Sequence, residues 1–239
     1  MVVVVATAGE RGLSGVGTAG PDLGAVRAAE LDRSAAALGV ARVVRLGYAD
    51  SGYDRPAEPP PGSFCAAPVE EAAERLRAVL DEERADVLTV YDEAGGYGHR
   101  DHIRVREVGL LAAANAATPP RVLEATVDRA VVQRGVRLLN RLGVRPGGMR
   151  AADFAAAFRP SAQITHAVDV RRYVRAKQRA LAAHASQASG GQDVRTVSLL
   201  ARLPWPLSRA VLGREWFVEV GSDVPAKRRN HLFGVGGTG

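Results

Sequence analysis

The chain is poor in several kinds of residue, and each shortage excludes a class of protein. Only one of its 239 residues is cysteine, Cys65, which excludes an internal disulfide framework and indicates a reducing compartment. It has no run of about 18 apolar residues, so no membrane span is expected. Its first residues also lack the charged and apolar regions of a signal peptide. We therefore predict a cytoplasmic protein.

The balance of charge is basic but does not by itself identify a partner. The formal net charge is +6 and the isoelectric point is near 10.1, values that often accompany binding to nucleic acid. The basic residues do not form a stripe along one predicted element, however. Local concentrations occur at Arg171-Arg172 and Lys227-Arg228-Arg229. We predict a small-molecule partner and no nucleic acid.

Apolar runs alternate with helical patterns, which predicts an α/β fold: a Rossmann-like three-layer sandwich with a mostly parallel sheet. Strands are predicted at 2–6, 41–46, 86–91, 122–127 and 216–220. Helices are predicted at 21–38, 69–80, 101–117, 131–142 and 169–184, the last of them capped by Asp169. Residues 1–233 are predicted to form a single domain, and the Gly-rich residues 234–239 a disordered tail.

The most informative stretch is Gly95-Gly96-Tyr97-Gly98-His99-Arg100-Asp101-His102, which follows the predicted strand 86–91. Glycines allow a sharp turn at the carboxyl end of a strand, the edge where open α/β sheets bind ligands. Because imidazole is a common metal ligand and acid–base group, the two histidines predict a metal-assisted reaction. A catalytic zinc usually takes three protein ligands, so further ligands must come from elsewhere.

On these motifs the chain resembles the LmbE-like/PIG-L family of zinc-dependent N-deacetylases over nearly its whole length. The resemblance is carried by Val2–Gly12 with its Thr-x-Gly-Glu loop, and by Leu23–Leu31, Leu46–Gly52, Tyr91–His102 and Lys177–Gln187. It implies Zn²⁺ as cofactor and removal of acetate from an N-acetylglucosamine-type amide. The family also contains mycothiol conjugate amidases, so a thiol-conjugate substrate remains an alternative.

The resemblance also implies roles for residues of the motif after strand 86–91. His102 would be a zinc ligand, and His99 the acid–base or oxyanion-stabilising histidine. Asp101 would orient His99, and Tyr97 would reach the polarised carbonyl group. These four residues are the predicted chemical part of the site.

Three further residues are predicted to contact the substrate. The resemblance places Arg27 against the substrate, while Glu10 and Asp50 each follow a predicted strand directly. For Glu10 a loop-closing hydrogen bond is as plausible as a substrate contact. We expect these residues and the histidine motif to converge on one cleft at the carboxyl edge of the sheet.

The sequence departs from the family at its amino end. Family members begin with a strand ending in Ala-His-Pro-Asp-Asp-Glu, which supplies two zinc ligands and the general base. This motif does not occur anywhere in the 239-residue sequence, and Val2–Ala6 aligns with the second family strand. We expect the first strand to be missing and the chain as given to be inactive or nearly so. A gene start placed too late, a non-catalytic remnant and a metal-free sugar-binding module all remain open.

Overall fold

A computed structural model describes residues 1–11, 23–52, 58–141, 143, 158–187 and 199–233. They group into two compact units. Unit 1 consists of Met1–Pro68 and Val170–Arg214, and unit 2 of Val69–Asp169 and Glu215–Gly239. The predicted tail at 234–239 lies outside the described residues, and the single domain over 1–233 stays a prediction.

The regular elements alternate between strand and helix for most of the chain, as predicted. In chain order they are β1 (Val2–Thr7), α1 (Leu23–Leu38), β2 (Arg42–Tyr48), α2 (Val69–Glu83), β3 (Val87–Tyr91), α3 (Gly95–Gly98), α4 (Arg100–Asn115), β4 (Arg121–Thr126), α5 (Arg129–Arg141), β5 (His166–Asp169), α6 (Val174–Ala183), α7 (Trp205–Leu212) and β6 (Arg214–Glu219). None of the described helices is long and apolar enough to cross a bilayer.

Unit 1 is built on a parallel pair of strands. β1 and β2 pair in register from Val2–Arg42 to Val5–Arg45, after which a bulge shifts the pairing. Helix α1 joins them and packs on α6. The Glu30 carboxylate of α1 is 2 % exposed and accepts hydrogen bonds from both the backbone N–H and the hydroxyl of Ser186, each at 2.7 Å. This buried group fastens α1 to the turn that follows α6.

Unit 2 contains a four-stranded sheet in the order β3-β4-β6-β5. β3 and β4 are parallel, but β6 is antiparallel to β4, so this sheet is mixed rather than mostly parallel. Helices α2 and α4 pack against each other, and α4 lies against β3. Helix α4 approaches β3 so closely at Gly109 that a methyl group there would lie 2.6 Å from Val90 Cγ1.

The predicted start of the last long helix is wrong. Asp169 ends β5 and does not cap a helix, because α6 begins at Val174 with Tyr173 in the cap position. A single 3₁₀ turn intervenes, closed by a 2.8 Å hydrogen bond from the Tyr173 N–H to the Val170 carbonyl. Strand β5 and helix α7 have no counterpart in the sequence predictions.

His166 at the start of β5 is completely buried in unit 2. Its Nδ1 lies 2.7 Å from the hydroxyl of Thr165, which also accepts the Glu219 N–H at 2.8 Å. Burial lowers the pKa of His166 below its usual value; Glu219 opposes this shift, while Arg121 and Arg229 add to it. The folded protein therefore holds His166 neutral.

Replacement of His166 by Asn is expected to flatten the pH dependence of stability. The unfolded chain protonates this histidine near pH 6.5, whereas the folded state resists protonation until lower pH. Stability is therefore lost as the pH falls through 6.5 towards the folded pKa. Thermal melts between about pH 7.5 and 5 should show a smaller fall for His166→Asn, which keeps a partner for Thr165 without titrating. Equal falls in the two proteins would contradict this account.

Candidate active site

The end of β3 is fixed by a buried carboxylate. Asp92 is 1 % exposed and directly follows the strand. One carboxylate oxygen accepts the Gly96 N–H at 2.9 Å, and the other accepts the Thr126 hydroxyl at 2.7 Å. The Asp92 carbonyl also accepts the Gly95 N–H at 2.8 Å. Asp92 therefore holds the turn after β3 and ties it to the end of β4.

Two glycines of this turn need their conformational freedom. Gly95 and Gly96 have φ values of +65° and +70°, in the left-handed region that side chains disfavour. A Cβ atom on Gly95 would also lie 2.9 Å from Ile103 Cγ1 and 3.0 Å from the Ile103 nitrogen. Gly95 thus permits α4 to approach the turn and places its own carbonyl beside the first turn of α4.

His99 occupies the N-cap position of α4. Its Nδ1 accepts a hydrogen bond from the Asp101 backbone N–H at 3.2 Å. A neutral imidazole that accepts at Nδ1 carries its proton at Nε2. Asp101 itself is buried in the first helical turn, and it holds the ring through its backbone. His99 is therefore set up as a donor at Nε2.

His102 has the opposite arrangement. Its Nδ1 lies 3.1 Å from the Gly95 carbonyl, an acceptor, so Nδ1 carries the proton and Nε2 carries a lone pair. Its ring stacks on Tyr91, with 3.8 Å between ring centroids and an angle of 3°. Burial lowers the pKa of His102 to about 4, so the ring is neutral near pH 7. This is the form in which histidine binds a metal through Nε2.

The two imidazoles are neighbours, with ring centroids 5.0 Å apart, yet their tautomers differ. His99 presents an N–H at Nε2, and His102 presents a lone pair there. A hydrogen-bond donor at His99 next to a lone pair at His102 is suited to polarising one substrate group and stabilising negative charge on it. It arises from two backbone groups, the Asp101 N–H and the Gly95 carbonyl.

In unit 1 a second polar cluster lies at the carboxyl ends of β1 and β2. The Glu10 carboxylate accepts the Asp50 N–H at 2.7 Å, so the two loops are joined directly. Asp50 is 3 % exposed and accepts the N–H of Gly52 at 2.8 Å and that of Arg11 at 3.3 Å. The loop-closing role considered for Glu10 is therefore present in the structure.

Arg27 belongs to the same cluster. It is 8 % exposed on α1, and its guanidinium donates a short hydrogen bond to the Gly9 carbonyl. Gly9 has a φ of +70°, and a Cβ there would lie 2.9 Å from Arg27 Nη1. The second carboxylate oxygen of Glu10, Oε2, is buried and accepts no hydrogen bond from the described residues. This oxygen is a candidate acceptor for a ligand hydroxyl.

The structure thus brings Glu10, Asp50 and Arg27 together in unit 1, and His99, Asp101 and His102 together in unit 2. Tyr97 lies within α3, but its side chain falls outside what the structure describes. Sequence reasoning assigned no role to Asp92, although an acidic residue directly after a buried strand is a signal for this edge. Nor could the sequence predict that Ser186 is the hydrogen-bond partner of Glu30, because the two residues are 156 positions apart.

Unit 2 also contains a cleft of about 310 Å³ beside Asp92. Its lining combines both signs of charge with apolar surface, from Asp92, Glu93, Ala94, Arg129, Phe158, Arg159, Pro160 and Gln163. Arg159 is held between Glu93 at 3.0 Å and Glu124 at 2.8 Å. The near balance of charge suits a neutral polar ligand.

Comparison with known proteins identifies the class. The profile of the family described as "PIG-L: GlcNAc-PI de-N-acetylase" matches residues 1–113. A 1D-myo-inositol 2-acetamido-2-deoxy-alpha-D-glucopyranoside deacetylase from Actinosynnema mirum is 33% identical over 230 residues, covering 92% of this chain and 78% of the relative. The chain belongs to the PIG-L family of deacetylases, which are amide hydrolases.

Solved structures agree on the fold. An N,N'-diacetylchitobiose deacetylase from Pyrococcus horikoshii is 20% identical with a TM-score of 0.52, covering 92% of this chain and 72% of that one. A 4-carboxy-2-hydroxymuconate hydratase from Pseudomonas putida is 17% identical with a TM-score of 0.54, and the match covers 95% of this chain and 86% of that one. Because a deacetylase and a hydratase share this fold, the fold alone does not decide the reaction.

Alanine at Gly95 is expected to destabilise the protein more than alanine at Gly96. Both substitutions force a side chain into the left-handed region, at about 1–2 kcal/mol each. Only Gly95→Ala also collides with Ile103, whereas space is open around Gly96. The extra cost should be about 1 kcal/mol or more in the free energy of unfolding, measured in urea. Equal losses would mean that α4 does not approach the turn as described.

Proposed function

We propose that this chain is an N-deacetylase acting on the acetamide of an N-acetylglucosamine-type sugar. The observation that carries the proposal is the pair of opposite tautomers at His99 and His102. Sequence similarity supports the substrate class, since the relative from Actinosynnema mirum is named for a 2-acetamido-2-deoxyglucoside. The conformation of the turn after β3 supports the chemical role.

In the proposed reaction, water adds to the acetamide carbonyl carbon and the carbon–nitrogen bond then breaks. Tyr97 and the Nε2–H of His99 stabilise the negative charge that develops on the carbonyl oxygen. The proton lost by the water passes, through the carboxylate base that the family resemblance implies, to the departing nitrogen, which leaves as an amine; His99 keeps its Nε2 proton and acts only as a hydrogen-bond donor. The products are acetate and a free amino sugar.

We propose His102 as one ligand of the zinc ion that the family resemblance implies. The lone pair at Nε2 and the neutral ring fit that role. The described residues contain no group of three or more His, Cys, Asp or Glu side chains able to hold a metal. They therefore do not complete a catalytic zinc site, and we propose that the 239-residue chain is inactive by itself.

Arg27, Glu10 and Asp50 are proposed to bind the sugar. Arg27 donates from its guanidinium, while the buried Glu10 Oε2 accepts from a sugar hydroxyl. A metal-free sugar-binding module is the second candidate, favoured because this polar cluster is formed within unit 1 while the described residues do not complete a metal site. A thiol-conjugate amide would be cleaved by the same chemistry.

Zinc content and acetate release test the proposal directly. The 239-residue chain should hold well under one zinc per molecule and release no acetate from an N-acetylglucosaminide. A version extended at its amino end with the Ala-His-Pro-Asp-Asp-Glu strand should gain both. His102→Gln in the extended version should lose zinc again. Stoichiometric zinc and acetate release by the original chain would refute the proposed inactivity, and sugar binding without zinc in either version would favour the binding module.

Tyr97→Phe in the extended version should act on turnover rather than on binding. Loss of one hydroxyl that stabilises the oxyanion costs roughly 3 kcal/mol, or a fall of about 100-fold in kcat, with KM little changed. Tyr91→Phe is the matched control, since it removes a hydroxyl but keeps the ring that stacks on His102. A raised KM with unchanged kcat would move Tyr97 from catalysis to substrate recognition.

A further inference from the structure

Helix α7 and the turn before α6, both in unit 1, expose several large aromatic and apolar side chains. Trp205, Leu207 and Val211 on α7 are 44%, 56% and 51% exposed, and Tyr173 before α6 is 50% exposed. With Arg175 and Arg209 they form what we call the α6–α7 patch. Isolated exposed apolar residues need no explanation, but three large ones on α7 and one in the turn before α6, with arginines over two of the rings, mark an interaction surface.

Arginines lie directly over the aromatic rings of this patch. The guanidinium carbons of Arg175 and Arg209 are 5.0 Å and 5.8 Å from the centroid of the Trp205 ring, and that of Arg172 is 4.6 Å from the Tyr173 ring. These cation–π contacts hold each ring at the surface beside positive charge. The patch is therefore both apolar and basic.

Hydrogen bonds between side chain and backbone make the patch rigid. Gln178 of α6 donates to the carbonyls of Leu203, at 2.9 Å, and Ala201, at 3.3 Å. Lys177 of α6 donates to the Leu212 carbonyl at 3.2 Å, where a cation meets the carboxyl end of α7. The surface is thus preorganised, so little entropy is lost when it binds.

The positive charge of the chain is concentrated in this part of the sequence. Between Val170 and Arg214 there are nine basic residues and one acidic residue, Asp193, a net charge of +8 against +6 for the whole chain. The remainder is therefore slightly acidic. The basic residues are Arg171, Arg172, Arg175, Lys177, Arg179, Arg195, Arg202, Arg209 and Arg214.

We propose that the α6–α7 patch docks on the surface of an anionic lipid bilayer. Trp and Tyr favour the membrane–water interface, and exposed leucine and valine bury in the boundary between headgroups and acyl chains. Each basic residue near an anionic leaflet strengthens binding about fivefold. This inference is independent of the proposed deacetylase activity and would place the protein at the surface of a membrane.

Two other occupants fit the patch less well. Nucleic acid stacks its bases on open aromatic faces, whereas the Trp205 ring is covered by arginines. A second copy of the chain in a symmetric dimer would bring two strongly basic surfaces together, which repel each other.

Sedimentation with vesicles tests the proposal on the 239-residue chain. The protein should bind vesicles with about one-third phosphatidylglycerol and not those of phosphatidylcholine alone, and added salt should weaken the binding. Arg175→Gln with Arg209→Gln should reduce affinity roughly 20-fold or more. Arg75→Gln with Arg104→Gln is the matched control: it removes the same charge from arginines paired with Glu71 and Glu107, and should change affinity less than about twofold.

Fluorescence locates the contact. The chain has two tryptophans, so Trp216→Phe leaves Trp205 as the reporter, and its emission should shift to shorter wavelength on phosphatidylglycerol vesicles. The proposal is overturned by equal binding to both vesicle types, by equal losses in the two double variants, or by an unshifted Trp205. Binding of Trp205 to duplex DNA but not to vesicles, or a dimer abolished by Leu207→Ser, would also overturn it.

Discussion

The buried carboxylate of Asp92 is the interaction on which the rest of the histidine site depends. It takes hydrogen bonds from the Gly96 N–H and the Thr126 hydroxyl, and so fixes the path of the chain between β3 and α4. That path sets the direction of the Gly95 carbonyl, which in turn selects the tautomer of His102. A buried, hydrogen-bonded carboxylate is costly to disturb, because each group left unpaired costs about 1–3 kcal/mol. The site is therefore prepared by the backbone before any ligand arrives.

Buried acidic side chains serve the same purpose elsewhere in the chain. Glu30 receives two hydrogen bonds from Ser186 in unit 1, and Glu124 receives Arg106 at 2.6 Å and Arg159 at 2.8 Å in unit 2. Glu10 differs, because only one of its oxygens is used internally. Full satisfaction marks a structural role, whereas an unused buried oxygen marks a position for a ligand. Of the proposed sugar-binding carboxylates, Glu10 has an unused buried oxygen, whereas both oxygens of Asp50 accept backbone hydrogen bonds.

Most strands and long helices could be predicted from the period of their hydrophobic residues, since each buries one face. The histidine motif could be predicted to lie at the carboxyl end of a strand, because its glycines follow that strand directly. The antiparallel direction of β6 could not be predicted, because an apolar strand can pair in either orientation and its local sequence does not specify the partner strand. Strand β5 is only four residues long, and α7 only eight, too short for a period to show. Asp169 was misassigned because an acidic residue before a helical pattern is usually a cap, and here a 3₁₀ turn intervenes. The tautomers depend on the Gly95 carbonyl and the Asp101 N–H, which only the folded backbone positions.

The opposite tautomers of the two neighbouring imidazoles can be measured directly. Nitrogen-15 chemical shifts of labelled histidine, assigned with His99→Gln and His102→Gln, distinguish a protonated from an unprotonated ring nitrogen. Near pH 7 we expect a proton on Nδ1 of His102, and on Nε2 rather than Nδ1 of His99. The same tautomer in both rings, or a charged His102, would contradict this expectation.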